Sequence, residues 1–184
     1  MTFIRTLGAL ACLATVPAAF AGDFTVSSTS VDGRGTLSSA QVLEGFGCHG
    51  GNRSPALAWK GEPTGTRSFA VTVYDPDAPT GSGWWHWVVI DLPATTHGLA
   101  EGVGDASGKA LPAGAVQGRT DYGAPGFGGA CPPPGDKPHR YVFTVYALKV
   151  PHLDVPKDAS AAMIGYMIHG NSLGSASMQA TYGR

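Results

Sequence analysis

Two short segments hold most of the side chains that could do chemistry. The first is Asp75-Pro-Asp-Ala-Pro79, leading into Trp84-Trp-His-Trp87; the second is Cys131-Pro-Pro-Pro-Gly-Asp-Lys-Pro-His-Arg-Tyr141. They offer carboxylates, imidazoles and a phenol, but no evident nucleophile. His86 lies among Trp84, Trp85 and Trp87, a cluster that is costly to expose unless it lines a pocket or an interface. A carboxylate beside an imidazole fixes its tautomer and favours its charged form, so an acid near His86 would make it a better donor to an anion. The expected chemistry is the holding of a phosphate-sized anion by hydrogen-bond donors. The plainer alternative is aromatic packing around ordinary, satisfied histidines.

Asp75 and Asp77 are two residues apart and would share a face if strand geometry persisted. Pro76 and Pro79 break that geometry by fixing φ and removing donors. A rigid turn can then aim Asp75, nearest the preceding strand, inward and keep Asp77 as the stabiliser of the loop. Both could instead be surface turn formers. In the second segment, alternation along Tyr141, Phe143 and Val145 puts His139 and Tyr141 into one pocket and sends Arg140 to pair elsewhere.

Catalysis finds less support. Asp75, His86 and His139 would suffice in number for a hydrolytic metal site, yet no His-x-x-x-His or other recognised ligand spacing is present. Serine catalysis lacks the Gly-x-Ser-x-Gly elbow. Histidine near aspartate without an activated attacker reads as a binding site, with no metal or other cofactor.

Strands must position these groups. Phe24–Ser28 reads as an edge strand and Ser54–Trp59 as a short one with its turn at Gly61–Gly65. Ser68–Tyr74, Trp87–Leu92 and Tyr141–Leu148 are rich in β-branched and aromatic residues and form the central strands. Each runs into or out of one of the two segments, so the polar groups sit at the ends of a rigid sheet. Gly45–Asn52 carries four glycines and can bend tightly, and Gly114–Ala130 is too glycine-rich for regular structure but is expected to be an ordered loop. One helix is expected from Ser160 to about His169, capped by Asp158 or Ser160 and ended by Gly170-Asn171. Short strands joined by Gly and Pro turns make the fold class all-β.

The first 21 of the 184 residues read as a secretory signal peptide: Arg5, an apolar run from Leu7 to Val16, a break at Pro17, and Ala19-Phe20-Ala21 as the cleavage site. The run is about half of what spans a membrane. Lipidation of Cys12 is the rival, with a very short apolar stretch before it. Residues 22–184 then form a single domain carrying 11 Lys and Arg against 13 Asp and Glu, with no basic tract to suggest nucleic acid and no integral membrane segment. A periplasmic or secreted location follows. Of the cysteines, Cys48 and Cys131 remain after cleavage, and in an oxidising compartment they are expected to pair.

At these residues the sequence resembles the phosphatidylethanolamine-binding protein family, and in particular its exported bacterial branch, often described as Raf-kinase-inhibitor-like. The resemblance spans roughly Phe24 to Tyr182: Asp75-Pro-Asp-Ala-Pro79 with Trp85-His-Trp87 matches one family signature, and Gly135 through His139-Arg-Tyr141 the other. Gly45–Asn52 and Gly128-Gly-Ala-Cys-Pro-Pro133 resemble the exported branch. It implies an antiparallel β-sandwich with a large central sheet, a smaller sheet and few short helices. It also implies a pocket for phosphate, acetate, cacodylate or a phosphorylated head group, lined here by Asp75, His86, Pro133, His139 and Tyr141. Asp77 matches the loop-supporting carboxylate and Arg140 a structural arginine. Trp85 stands where eukaryotic members place a further histidine, and no long final helix follows. Homodimers are common in bacterial relatives of this kind. Two other functions compete: modulation or inhibition of another protein, such as a protease, through the loops round the pocket, and metal-dependent phosphoester hydrolysis.

Overall fold

The computed structural model describes residues 23–184, so the expected signal peptide and Cys12 lie outside the described residues. In chain order the strands are β1 (Thr25–Ser27), β2 (Glu44–Gly45), β3 (Cys48–His49), β4 (Leu57–Lys60), β5 (Ser68–Asp75), β6 (Trp84–Pro93), β7 (Gly98–Leu99), β8 (Val116–Gln117) and β9 (His139–Leu148), followed by helix α1 (Ala161–Asn171) and β10 (Ser172–Tyr182). All ladders between strands are antiparallel. They form a five-stranded sheet ordered β10-β9-β5-β6-β8, a three-stranded sheet ordered β1-β4-β7, and the β2-β3 hairpin.

The central sheet is covered on both faces, which is why β5 and β6 read as nearly continuous apolar runs. One face buries Phe69, Val71, Val73, Trp87, Val89, Phe143 and Val145 against Leu57, Trp59 and Leu99 of the small sheet. The other buries Ala70, Val88, Ile90 and Leu148 under Ala161, Ile164 and Ile168 of α1. The Ser160 hydroxyl caps that helix by accepting from the Met163 N–H at 3.2 Å.

Two bulges in β6 decide which side chains face which way. Phe69 pairs with Leu92 and Val71 with Val89, leaving Ile90 and Asp91 opposite Ala70 alone. Asp91 takes the left-handed conformation (φ 59°), and Leu92 thereby returns to the face of Val89. Its side chain also accepts from the Leu153 N–H at 2.9 Å. At the other end Val73 pairs with Trp87 but Tyr74 with Trp85, so His86 is the extra residue. Trp85 consequently packs with the helix-side core, Trp87 with the small-sheet core, and His86 turns to the side of Tyr141, its ring 5.1 Å away.

Three features depart from the sequence reading. The 11-residue strand β10 has no counterpart there, because Ser172, Gly174, Ser175, Ala176 and Ser177 lack the bulk that marks a strand. It still alternates, with Ala176 and Ala180 buried between exposed Ser175, Ser177 and Gln179, and it pairs with β9 along almost its whole length. The Gly114–Ala130 segment is not wholly irregular: Val116 and Gln117 pair with Ile90 and Val89 as the sheet edge. The helix runs through Gly170 to Asn171 rather than ending before them.

Candidate functional site

The two signature segments meet at one end of the central sheet. Asp75 is the last residue of β5 and His139 the first of β9, and both project to the face that carries Val73 and Phe143. His139 Nδ1 lies 2.8 Å from Asp75 Oδ2, with each side chain about 5% exposed. The other oxygen of Asp75 accepts from the N–H groups of Asp77 (2.8 Å) and Ala78 (3.1 Å). One carboxylate therefore fixes the proline turn and orients an imidazole of the other segment. His139 Nε2 faces Asp136 Oδ2 at 3.4 Å.

Asp77 points the other way. Its carboxylate receives Arg140 Nε (2.8 Å), Nη2 (2.6 Å) and the Arg140 N–H (2.9 Å), a forked pairing that joins the two segments from outside the pocket. The Arg140 hydrogen bonds hold the Asp77 pKa at about 2, below its ordinary carboxylate range. A carboxyl whose pKa is depressed in the folded state contributes stability above its unfolded pKa and loses it as pH falls through the folded one. Asp77→Asn is therefore expected to destabilise the protein at pH 5, with the difference from wild type disappearing between about pH 4 and pH 2. Urea unfolding over that range measures it.

His86 is buried, and its Nδ1 donates to the Gly128 carbonyl at 2.7 Å. Its ring stands edge-on to both Tyr141 and Tyr122. Burial lowers its pKa and outweighs the Gly128 carbonyl, the charge of Asp75, the Gly129 backbone and the charge of Asp121, which act the other way. This corrects the sequence reading: the direct carboxylate partner goes to His139, while His86 leans on a backbone carbonyl and is kept neutral. Burial, followed by the charge of Asp75, raises the pKa values of Tyr141 and Tyr122, so both are hydroxyl donors at any ordinary pH.

The cavity these residues line has a volume of about 230 Å³. Asp75, His86, His139 and Tyr141 supply its polar end, while Pro133, Trp84, Phe46 and Leu43 contribute to largely apolar walls. Two donors in these walls are buried without a hydrogen-bond partner, Tyr141 Oη and Trp84 Nε1. The Cys131 N–H lies towards the first and the Tyr122 hydroxyl towards the second, yet neither closes a bond.

Trp85 holds the neighbouring loop through its backbone: its N–H donates to Asp121 Oδ2 at 2.8 Å and its carbonyl accepts from the Asp121 N–H at 3.2 Å. Its ring lies on the opposite face, 4.8 Å from Tyr74, so of Trp84, Trp85 and Trp87 only Trp84 lines the cavity. Sequence reasoning passed over Trp84 as an individual donor, and over Tyr122, Phe46 and Asn52. Asn52 bridges the loops by accepting from the Gly129 N–H at 2.7 Å and donating to the Phe127 carbonyl at 3.3 Å. A Cβ at Gly128 would collide with the Tyr122 ring, which explains a glycine there. A lone tyrosine within a glycine-rich run was the available signal.

Cys48 and Cys131 form a disulfide, with Cα atoms 5.9 Å apart, tying the β2-β3 hairpin to the entrance of the second segment. Arg184 adds a second clip, donating from Nε to the Pro132 carbonyl and from Nη1 to the Gly47 carbonyl, both at 2.7 Å. Among the described residues, no three His, Cys, Asp or Glu side chains are grouped to hold a metal ion, and no helix is long and apolar enough to cross a membrane.

An antiparallel sandwich whose two signature loops converge on Asp, His and Tyr at a sheet end defines a class of small-ligand pocket protein. The chain belongs to the phosphatidylethanolamine-binding protein family, whose pattern it matches over residues 27–183. The UPF0098 protein YbcL of Escherichia coli (strain K12) is 53% identical over 162 residues, covering 88% of each chain. UPF0098 protein YbhB of the same organism is 54% identical over 141 residues, covering 77% of this chain and 88% of that one. The crystal structure of E. coli YbcL superposes with a TM-score of 0.85 at 52% identity, over 89% of this chain and 99% of the other.

Proposed function

We propose that this protein binds a small anion or phosphorylated head group in the Asp75–His86–Pro133–His139–Tyr141 pocket, without turnover. The observation that carries the reading is the buried Tyr141 hydroxyl, which lacks an acceptor, together with a second unpartnered donor on a residue of the same cavity lining, Trp84 Nε1. A buried donor left unpaired costs about 1–3 kcal/mol, which a bound oxyanion relieves. The groups that could attack a substrate are otherwise engaged. Cys131 is in the disulfide, and the Thr80 hydroxyl donates to the Gly83 carbonyl at 2.5 Å.

The leader sequence and the disulfide together support export to the periplasm or beyond, and with it the exported bacterial Raf-kinase-inhibitor-like branch. A second reading, modulation of another protein, is favoured by Phe46, which is 79% exposed at the cavity rim. Calorimetric titration of phosphoethanolamine into wild type and Tyr141→Phe tests the main reading. Wild type is expected to bind with a Kd on the order of 0.1–10 mM, since a few hydrogen bonds must offset desolvation, and Tyr141→Phe roughly tenfold more weakly. Equal affinities would refute the role given to Tyr141.

A further inference from the structure

The tautomer of His86 constrains what the cavity can hold. A carbonyl oxygen only accepts, so the 2.7 Å contact with Gly128 requires the hydrogen on Nδ1. Nε2 has no hydrogen-bond partner among the described residues and, in the neutral ring, is a bare acceptor. Asp75 and Asp121 favour its charged form but are outweighed by burial, Tyr122 and Tyr141 are neutral hydroxyls, and His139, which lines the same cavity, turns its Nδ1 to Asp75. Asp75 cannot rotate to help, because its oxygens are engaged by Asp77, Ala78 and His139. Its negative field also opposes a dianion.

Two kinds of unmet group thus belong to residues that line the cavity. Tyr141 Oη and Trp84 Nε1 need acceptors, and His86 Nε2 needs a donor. An oxyacid that retains one hydrogen satisfies all three, accepting on two oxygens and donating from its own O–H. Sulfate, with no hydrogen left, sets an oxygen lone pair against the Nε2 lone pair, and a phosphodiester does the same.

We propose that the pocket selects oxyacids that still carry a proton, namely inorganic phosphate and phosphate monoesters as their monoanions, over sulfate and over phosphodiesters. The inference rests on the anion-binding reading above and specifies its ligand. It also divides lipids, since phosphatidic acid is a monoester and phosphatidylethanolamine a diester.

The test is calorimetric titration of the wild-type protein with inorganic phosphate, methyl phosphate, dimethyl phosphate and sulfate at pH 5.5 and 7.5. Phosphate and methyl phosphate are expected to bind about tenfold to a hundredfold more tightly than the other two at pH 5.5, the range that an unmet buried hydrogen bond implies. Their advantage shrinks at pH 7.5, because the second ionisation of a phosphate monoester falls near pH 6. His86→Phe, which keeps the bulk but removes the acceptor, is expected to bring methyl phosphate down to the sulfate level. Vesicles containing phosphatidic acid, run beside methyl phosphate alone, separate a membrane source of the monoester from a soluble one, and binding of either supports the inference.

Sulfate or dimethyl phosphate binding within about threefold of methyl phosphate would overturn the selectivity while leaving anion binding standing. So would sulfate affinity that rises on acidification as steeply as that of phosphate, since an imidazolium would then be the donor. If none of the four ligands binds, the anion-binding reading fails as well.

Discussion

Asp75→Ala is expected to lower stability by about 3–5 kcal/mol, the cost of removing one partner from a buried, hydrogen-bonded pair, and to raise the Kd for phosphate at least tenfold. One side chain is the acceptor for three donors, the N–H groups of Asp77 and Ala78 and Nδ1 of His139. Removing it frees the proline turn and the first residue of β9 together. Asp75→Asn separates the two roles. Its amide oxygen can still accept from the turn, but its NH₂ faces His139 Nδ1 and reverses that hydrogen bond. It is expected to cost about 1–3 kcal/mol and to weaken binding nearly as much as alanine does. Urea unfolding with a common m-value and parallel calorimetry measure both. An Asp75→Ala protein within about 1 kcal/mol of wild type would show that the turn and His139 find other partners.

The second large effect belongs to the disulfide. Cys48 and Cys131 are 83 residues apart in sequence, and closing a loop of that length restricts the unfolded chain by about 4.5 kcal/mol at 25 °C. The Cys48→Ala, Cys131→Ala double variant should therefore melt roughly 10–18 °C below wild type. Loss of pocket order is expected as well, because the β2-β3 hairpin carries Phe46 and the cysteine itself precedes Pro132 and Pro133. Arg184 still clips the same two loops through the Gly47 and Pro132 carbonyls, so weakened binding rather than its abolition is the result to look for. Scanning calorimetry in the presence and absence of reductant gives the stability term. A melting temperature unchanged by reduction would mean that the unfolded chain is already compact.

Much of this arrangement was legible in the residues. The alternation from His139 to Phe143 correctly placed His139 and Tyr141 on one face and Arg140 on the other, because β9 is regular from its first residue. Asp75 inward and Asp77 outward followed from where the prolines interrupt the strand. Bulges were not legible. Period-two reasoning puts Trp85 and Trp87 on one face with His86 opposite, whereas the extra residue in β6 sends Trp85 to the helix side and brings His86 to Tyr141. Nothing local in Trp84-Trp-His-Trp87 announces that insertion, since it is set by the pairing partner β5. The partner of each histidine was likewise decided by tertiary geometry. β10 escaped notice for another reason: its buried positions are alanines, whose small size suits a sheet edge but gives no hydrophobic signal.

One oxyanion is expected to occupy the space between Tyr141, Trp84 and His86. The most direct measurement is a ¹H–¹⁵N NMR titration with inorganic phosphate that follows the Trp84 indole N–H and the imidazole nitrogens of His86 and His139. The Trp84 signal is expected to move downfield and saturate together with the His86 Nε2 signal, while the Trp85 and Trp87 indoles stay in place. Saturable shifts confined to surface lysines and arginines, with Trp84 and His86 unmoved, would contradict it.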